Sequence, residues 1–124
     1  MKRKALLLLL IPLLAGCAAH VYHPGAANKF DSDSYDAILV AHSIIETTKT
    51  DLANNAFPAS IAGNVKTALN DLIKGYNAAD GAYQTYHTVA IAGTATTAQS
   101  DAVKATLADL NTKTAALTAA KAGK

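Results

Sequence analysis

The feature that most constrains the fold is a seam in the middle of the chain. Val65, Leu69, Leu72, Tyr76, Ala79, Tyr83, Tyr86 and Ala90 follow one another at alternating steps of four and three. A strand would place its apolar residues at steps of two, whereas steps of three and four keep one helix face turned toward a partner. Sustained over more than three heptads, this spacing predicts a long helix over residues 59–90 that buries its stripe against other helices. Pro58 suits the first turn, where its missing N–H has no helical partner anyway, and Gly93 marks the turn beyond. Asn77, Asp80 and Gly81 are weak helix formers, so a bend or break is expected near the centre. Thr88, Val89, Ile91 and Thr94 give a weak strand alternative, too short and alanine-rich to outweigh the flanking helices.

Two shorter seams flank the long one. Ile38, Ala41, Ile45, Thr48 and Leu52 predict a first helix over 32–53, with Leu39, His42 and Ile44 widening its stripe. Asp31 is the expected cap, and Phe30 and Tyr35 have the spacing of a hydrophobic staple. Asn54-Asn55 stops that helix. Thr96-Thr97-Ala98-Gln99 reads as a capping box that starts a third helix over 97–121, carried by Val103, Leu107, Leu110, Thr114 and Leu117. Connections of roughly five residues force neighbouring helices to run antiparallel. The expected fold is therefore all-α, an up-down-up three-helix bundle over residues 31–124. In that topology the start of the bundle and the C-terminus lie at opposite poles. Large core side chains are few and tryptophan is absent, which favours slender helices packed through alanine. Leu72 and Leu107 are both expected to be buried, while Lys74 and Lys113 fall off the seams.

The first 30 residues follow a different logic. Met1-Lys2-Arg3-Lys4 precedes an eleven-residue apolar run, Ala5 to Ala15, that closes on Leu14-Ala15-Gly16-Cys17. Crossing a bilayer takes about 20 apolar residues, so the run is too short for a permanent span and reads as a targeting segment. Pro12 favours extended backbone ahead of the cleavage site. Basic tip, leucine core, small residues and cysteine resemble a bacterial lipoprotein signal peptide with its lipobox. The resemblance implies loss of residues 1–16, a diacylglyceryl group on the Cys17 thiol and an acylated, palmitate-type amino terminus. Residues 17–30 then form a lipidated tether. Ala18, directly after the cysteine and not an aspartate, resembles the class sent to the outer membrane, which implies a lipid-anchored location on its periplasmic side.

Cleavage would also change the electrostatics. The chain carries 11 Lys and Arg against 9 Asp and Glu, with a pI near 8.7. Lys2, Arg3 and Lys4 leave with the signal, so eight basic groups face nine acidic ones, a net charge of −1. No basic stripe remains for a phosphate backbone, which argues against nucleic-acid binding. With Cys17 lipidated, the only cysteine is consumed, so no internal disulfide, thiolate nucleophile or cysteine metal ligand is expected.

Catalytic patterns are absent from the sequence. It has no nucleophile–base arrangement, glycine-rich phosphate loop or histidine-metal spacing. His20 and His23 in the tether lack a nearby acidic or thiolate partner, so neither a metal nor another cofactor is expected. His42 reads as a packed or rim histidine. Asp71 and Asp80 fall on opposite sides of their helix and do not form a paired-carboxylate site. The cluster that stands out is Tyr76, Tyr83 and Tyr86 with His87, a candidate partner face at one end of the long helix. Rim-and-core packing is the favoured reading of the same rings.

His23-Pro24-Gly25-Ala26, then Phe30-Asp31-Ser32 and Tyr35-Asp36, resemble small bacterial lipoproteins of unassigned function. Cys17, the heptads and Lys124 are similar to murein-type lipoproteins, which implies trimerisation and a cell-wall link at the terminal lysine. This chain departs from them in its proline and glycine-bearing turns. The expected function is a non-enzymatic, lipid-anchored interaction or structural module of the bacterial envelope, with the bilayer as one partner and an envelope protein or a second copy as another. The alternatives are an adaptor that binds a ligand or supports an enzyme through the tyrosine face, and a phage lysis lipoprotein.

Overall fold

A computed structural model describes residues 22–124; the signal segment and Cys17 lie outside the described residues. Three helices make up the fold: α1 (Lys29–Ala53), α2 (Ala59–Ile91) and α3 (Thr97–Lys121). They run up, down and up. The start of α1 meets the end of α2 through Asn28 and Tyr86, and the end of α3 returns to α1 through Lys121 and Thr48. The all-α bundle expected from the heptads is the fold observed. Among the described residues, no helix is long and apolar enough to cross a membrane.

The long seam is the spine of the core. Val65, Leu69, Leu72, Ala79, Tyr83 and Tyr86 are buried, while Tyr76 and Ala90 are half-buried at its edge. From α1 the core takes Ile38, Ala41 and Ile45, and from α3 it takes Val103, Leu110 and Leu117. In α3 the fully buried residues recur every seventh position, so that helix contributes one large side chain per heptad. Leu107, expected to be buried, is only half-buried, packed against the edge of the core. α2 packs on both neighbours and α3 is its main partner.

The helix ends show where local chemistry overrode the predicted boundaries. α1 begins a turn early, at Asn28 instead of Asp31: the Asn28 side chain accepts the Asp31 N–H at 2.9 Å. Asp31 works in the reverse direction, its carboxylate accepting the Ala27 N–H at 2.8 Å. With the cap moved, Phe30 and Tyr35 no longer have staple spacing. Phe30 instead meets Tyr86 edge-on at 5.1 Å between centroids. At α3 the capping box forms as predicted, with Thr96 and Gln99 exchanging both bonds.

α2 is continuous through Asn77, Asp80 and Gly81, with no break at its centre. Ala79 and Tyr83 hold that stretch in the core, and tertiary packing outweighs weak propensity there. The strand alternative at 88–94 is not realised: α2 runs to Ile91, and Gly93 ends it in the left-handed region at φ 71°. Asn55, which also tolerates that region, turns the chain between α1 and α2 at φ 53°.

Part of the expected tether belongs to the bundle. Pro24-Gly25 makes a turn closed by the Ala26 N–H on the His23 carbonyl at 3.1 Å. The turn folds the chain back, so the His23 N–H donates to Ser32 Oγ at 3.0 Å and its ring packs 4.2 Å from that of Tyr35. Residues 29 and 30 are already helical. The folded unit therefore starts near His23, not at residue 31.

Candidate functional site

The densest polar chemistry among the described residues lies at the pole where α1 begins and α2 ends. Antiparallel packing brings Asp31 to His87 across 56 positions of sequence. Asp31 is fully buried, and the His87 side chain is 24% exposed. His87 Nδ1 lies 3.0 and 2.8 Å from the two Asp31 oxygens. A carboxylate can only accept, so Nδ1 carries the proton and donates. With the Ala27 N–H on Oδ2, the buried carboxylate has two donors from separate parts of the chain. Burying a carboxylate without such partners would be costly.

Aromatic rings wall the pair. Tyr83 places its hydroxyl 3.3 Å from His87 Nδ1 and stacks its ring at 5.4 Å from the imidazole. Its pKa is pushed up to about 12, first by burial and then by the neighbouring Asp31 carboxylate. Tyr86 accepts from Asn28 Nδ2 at 3.0 Å, which ties the cap of α1 to the last turns of α2. Below Tyr83, Tyr35 stands at 6.0 Å and in turn holds the His23 ring. His23 Nδ1 faces the Pro24 carbonyl at 2.9 Å, while Nε2 is buried without a hydrogen-bond partner.

The sequence-predicted cluster is thus brought together but turned inward. Tyr83 and Tyr86 are buried, Tyr76 is half-buried, and His87 shows only an edge. As an exposed partner face this set is corrected: its rings fill the core because the same heptad that groups them also directs them at α1. Tyr76 sits apart from the others, its ring 5.7 Å from that of His42, an exposed rim histidine. Burial raises the Tyr76 pKa, aided by Asp80.

Asp31 is the functional group that sequence reasoning missed. Its local sequence marks it only as a helix cap, and its partner lies 56 positions away. The signal was available in the topology, since an up-down connection sets the first turn of the first helix against the last turn of the second.

An Asp–His pair orients an imidazole as it would in a general base. Here the nearby hydroxyls are committed elsewhere. Ser32 Oγ is buried and accepts from His23, and Ser34 donates to the Phe30 carbonyl at 2.7 Å. Among the described residues, no group of three or more His, Cys, Asp or Glu side chains is arranged to hold a metal. The arrangement works as a clamp between α1 and α2.

A second feature is a trough of about 360 Å³ between α2 and α3, lined by Asn64, Thr67, Ala68, Asp71, Thr112 and Lys113. Its charged groups are already paired, Asp71 with Lys74 and Lys113 with Asp109. No convergent polar set remains to fix a ligand. No protein-family model matches this chain, and no curated protein or solved structure matches it significantly.

Proposed function

We propose that this protein is a lipid-anchored helical module on the periplasmic side of a bacterial outer membrane, with a structural or interaction role and no catalysis of its own. The observation that carries the reading is Leu14-Ala15-Gly16-Cys17 at the end of a basic-tipped apolar run too short to span a bilayer. The bundle is compatible with it. No described helix is long and apolar enough to cross a membrane; in this reading attachment is by acyl chains on Cys17, and two or more such chains make a stable anchor. The non-catalytic part is supported by the inward-facing Asp31–His87 clamp and by the paired charges of the trough. The burial of Tyr83 and Tyr86 supports the structural or interaction reading over the ligand-binding adaptor alternative.

The test is Cys17→Ser in a host with two membranes. The expected result is loss of acylation and of membrane retention, read by mass spectrometry of the mature N-terminus and by fractionation. The parent protein should travel with outer-membrane markers on a sucrose gradient. An unmodified chain cleaved elsewhere than before Cys17 sinks the anchor, and co-migration with inner-membrane markers alone sinks the location.

A further inference from the structure

At the pole where α1 begins and α2 ends, outside the buried Asp31–His87 pair, the turn that caps the bundle is uncharged, and the described chain starts at this same pole. Four large apolar side chains are exposed among the described residues: Tyr22 at 48%, Leu39 at 46%, Val40 at 61% and Ile91 at 60%. Tyr22 immediately precedes His23, which is fixed on the first turns of α1 by Ser32 and Tyr35. Ile91 is the last residue of α2, one turn beyond His87 and its Asp31 partner. Both therefore sit at the entry pole. The segment around Ile91 carries no formal charge of its own: from Thr88 to Ser100 there is no Asp, Glu, Lys or Arg, and residues 91–98 are all exposed.

The opposite pole differs in kind. Its turn, Asn54 to Pro58, is also uncharged in sequence, but its apolar groups are covered. Phe57 and Ile61 are half-buried, the Lys121 ammonium stands 5.7 Å over the Phe57 ring, and Gly123 lies against Ile61. Asp51, Lys121 and Lys124 add charge there. Leu39 and Val40 lie mid-way along α1 in the company of Asp36 and Glu46, acidic groups that do not suit an anionic headgroup layer.

We infer that the entry pole, Tyr22 with the turn from Ile91 to Thr94, rests on the headgroup layer of the bilayer and stands the bundle upright on it. The inference builds on the anchor at Cys17 proposed above. Five residues separate Cys17 from His23, a reach of at most roughly 20 Å over the six intervening steps. The lipid therefore cannot be far from this pole. Tyrosine is suited to an interface, with an apolar ring and a polar tip. Lys29 and Lys104, each with a side chain 60% exposed, flank the pole from the first turn of α1 and the second turn of α3. Their amines lie at headgroup height, and their partners Asp33 and Asp101 keep the rim near neutrality. An upright α2 of 33 residues would hold the Lys121 pole about 50 Å above the surface.

The absence of tryptophan from the chain makes a direct test available. Three full-length variants, Ile91→Trp, Val40→Trp and Ala122→Trp, are expressed in a bacterial host, purified from membranes and reconstituted in phosphatidylcholine vesicles with and without brominated acyl chains. Interfacial side chains reach about 5–10 Å into the headgroup–acyl boundary, so Ile91→Trp should shift to the blue and lose roughly half of its emission to bromine. Val40→Trp and Ala122→Trp should keep theirs. Equal emission from Ile91→Trp and Ala122→Trp overturns the inference, and quenching of Val40→Trp in place of Ile91→Trp lays the bundle on its flank. The mass of Cys17 in the same samples reports on the anchor separately. If the cysteine carries no lipid, the variants are coupled through its thiol to a maleimide-headgroup lipid, and the same quenching comparison decides the pole by itself.

Discussion

At the scale of single residues, every buried polar group of α1 is satisfied, and one of them, Asp31, ties α1 to α2. Asp31, Ser32, Ser34 and Thr48 are all buried, and each meets a partner: Thr48 donates to the Ile44 carbonyl at 2.8 Å and accepts from Lys121 at 3.3 Å. Tyr83 gives this polar layer a measurable signature. Its hydroxyl holds its proton to about pH 12 in the folded chain, against 10.0 for an ordinary tyrosine. Between those values the unfolded chain has released the proton and the folded one has not, so rising pH favours unfolding. The stabilisation is complete below pH 10 and is lost as pH approaches 12; Tyr76, also raised, acts in the same direction. Urea midpoints measured across that window should fall, and Tyr83→Phe should flatten the fall. A Tyr83→Phe variant with the full alkaline drop would show that another group is responsible. Little of this layer was legible in the sequence. Spacing told that Tyr83 and His87 share a helix face, but nothing local announces that a serine or an aspartate will be buried. That depends on which distant backbone N–H or ring reaches it.

At the scale of the elements, periodicity was the reliable guide and helix ends were not. All three helices lie where their apolar steps put them, because burying a stripe requires the whole stripe to turn the same way. The ends moved where side chains offered a competing cap, as at Asn28, or where packing carried the helix through poor formers, as at Gly81. Burial within a stripe follows the neighbours as well as the spacing. Leu72 is completely buried between helices, whereas Leu107 is half-buried. Leu72→Ala should therefore cost about 2–5 kcal/mol, with Leu107→Ala at or below the bottom of that range, in urea melts. Equal losses at the two sites would mean that Leu107 is as fully enclosed as Leu72. Lys113, off the seam by spacing, is not a bystander. Its stem crosses Gly75, whose missing Cβ would stand 2.6 Å from Lys113 Cδ. Alanine at Gly75 gains about 1 kcal/mol of helix propensity but must push that stem aside. The full gain should appear only in the Lys113→Ala background. A Gly75→Ala gain equally large with Lys113 in place would deny the contact.

At the scale of the whole molecule, the three helices are not equal partners. α2 and α3 form a closely packed pair, and α1 leans mainly on α2 while meeting α3 only sparingly. Besides the apolar contacts of Ile38, Ala41 and Ile45, the polar ties of α1 lie at its two ends: Asp31–His87 and Asn28–Tyr86 at the entry pole, and Lys121 against Thr48 and Asp51 at the other. The up-down-up order was legible in the sequence because turns this short leave few alternatives. The unequal pairing was legible only in outline: α2 and α3 carry heptad seams and α1 a weaker stripe, but spacing does not say that α1 would meet α3 so sparingly. Regions with fewer buried contacts open before the rest of a domain. Amide exchange on the lipid-free chain should therefore show α1, around Ala41 to Ile45, opening at lower free energy than α2 around Leu69 to Leu72. The entry-pole clamp supplies a way to test the cause. His87→Leu keeps an apolar body of similar size but leaves the Asp31 carboxylate buried without its imidazole donor, a loss of about 1–3 kcal/mol. If the clamp holds α1 to α2, protection in α1 should fall while the α2–α3 amides fall less, because they can stay paired after α1 leaves. Uniform protection across the three helices, or an equal drop everywhere in His87→Leu, would mean that the bundle opens only as a single unit.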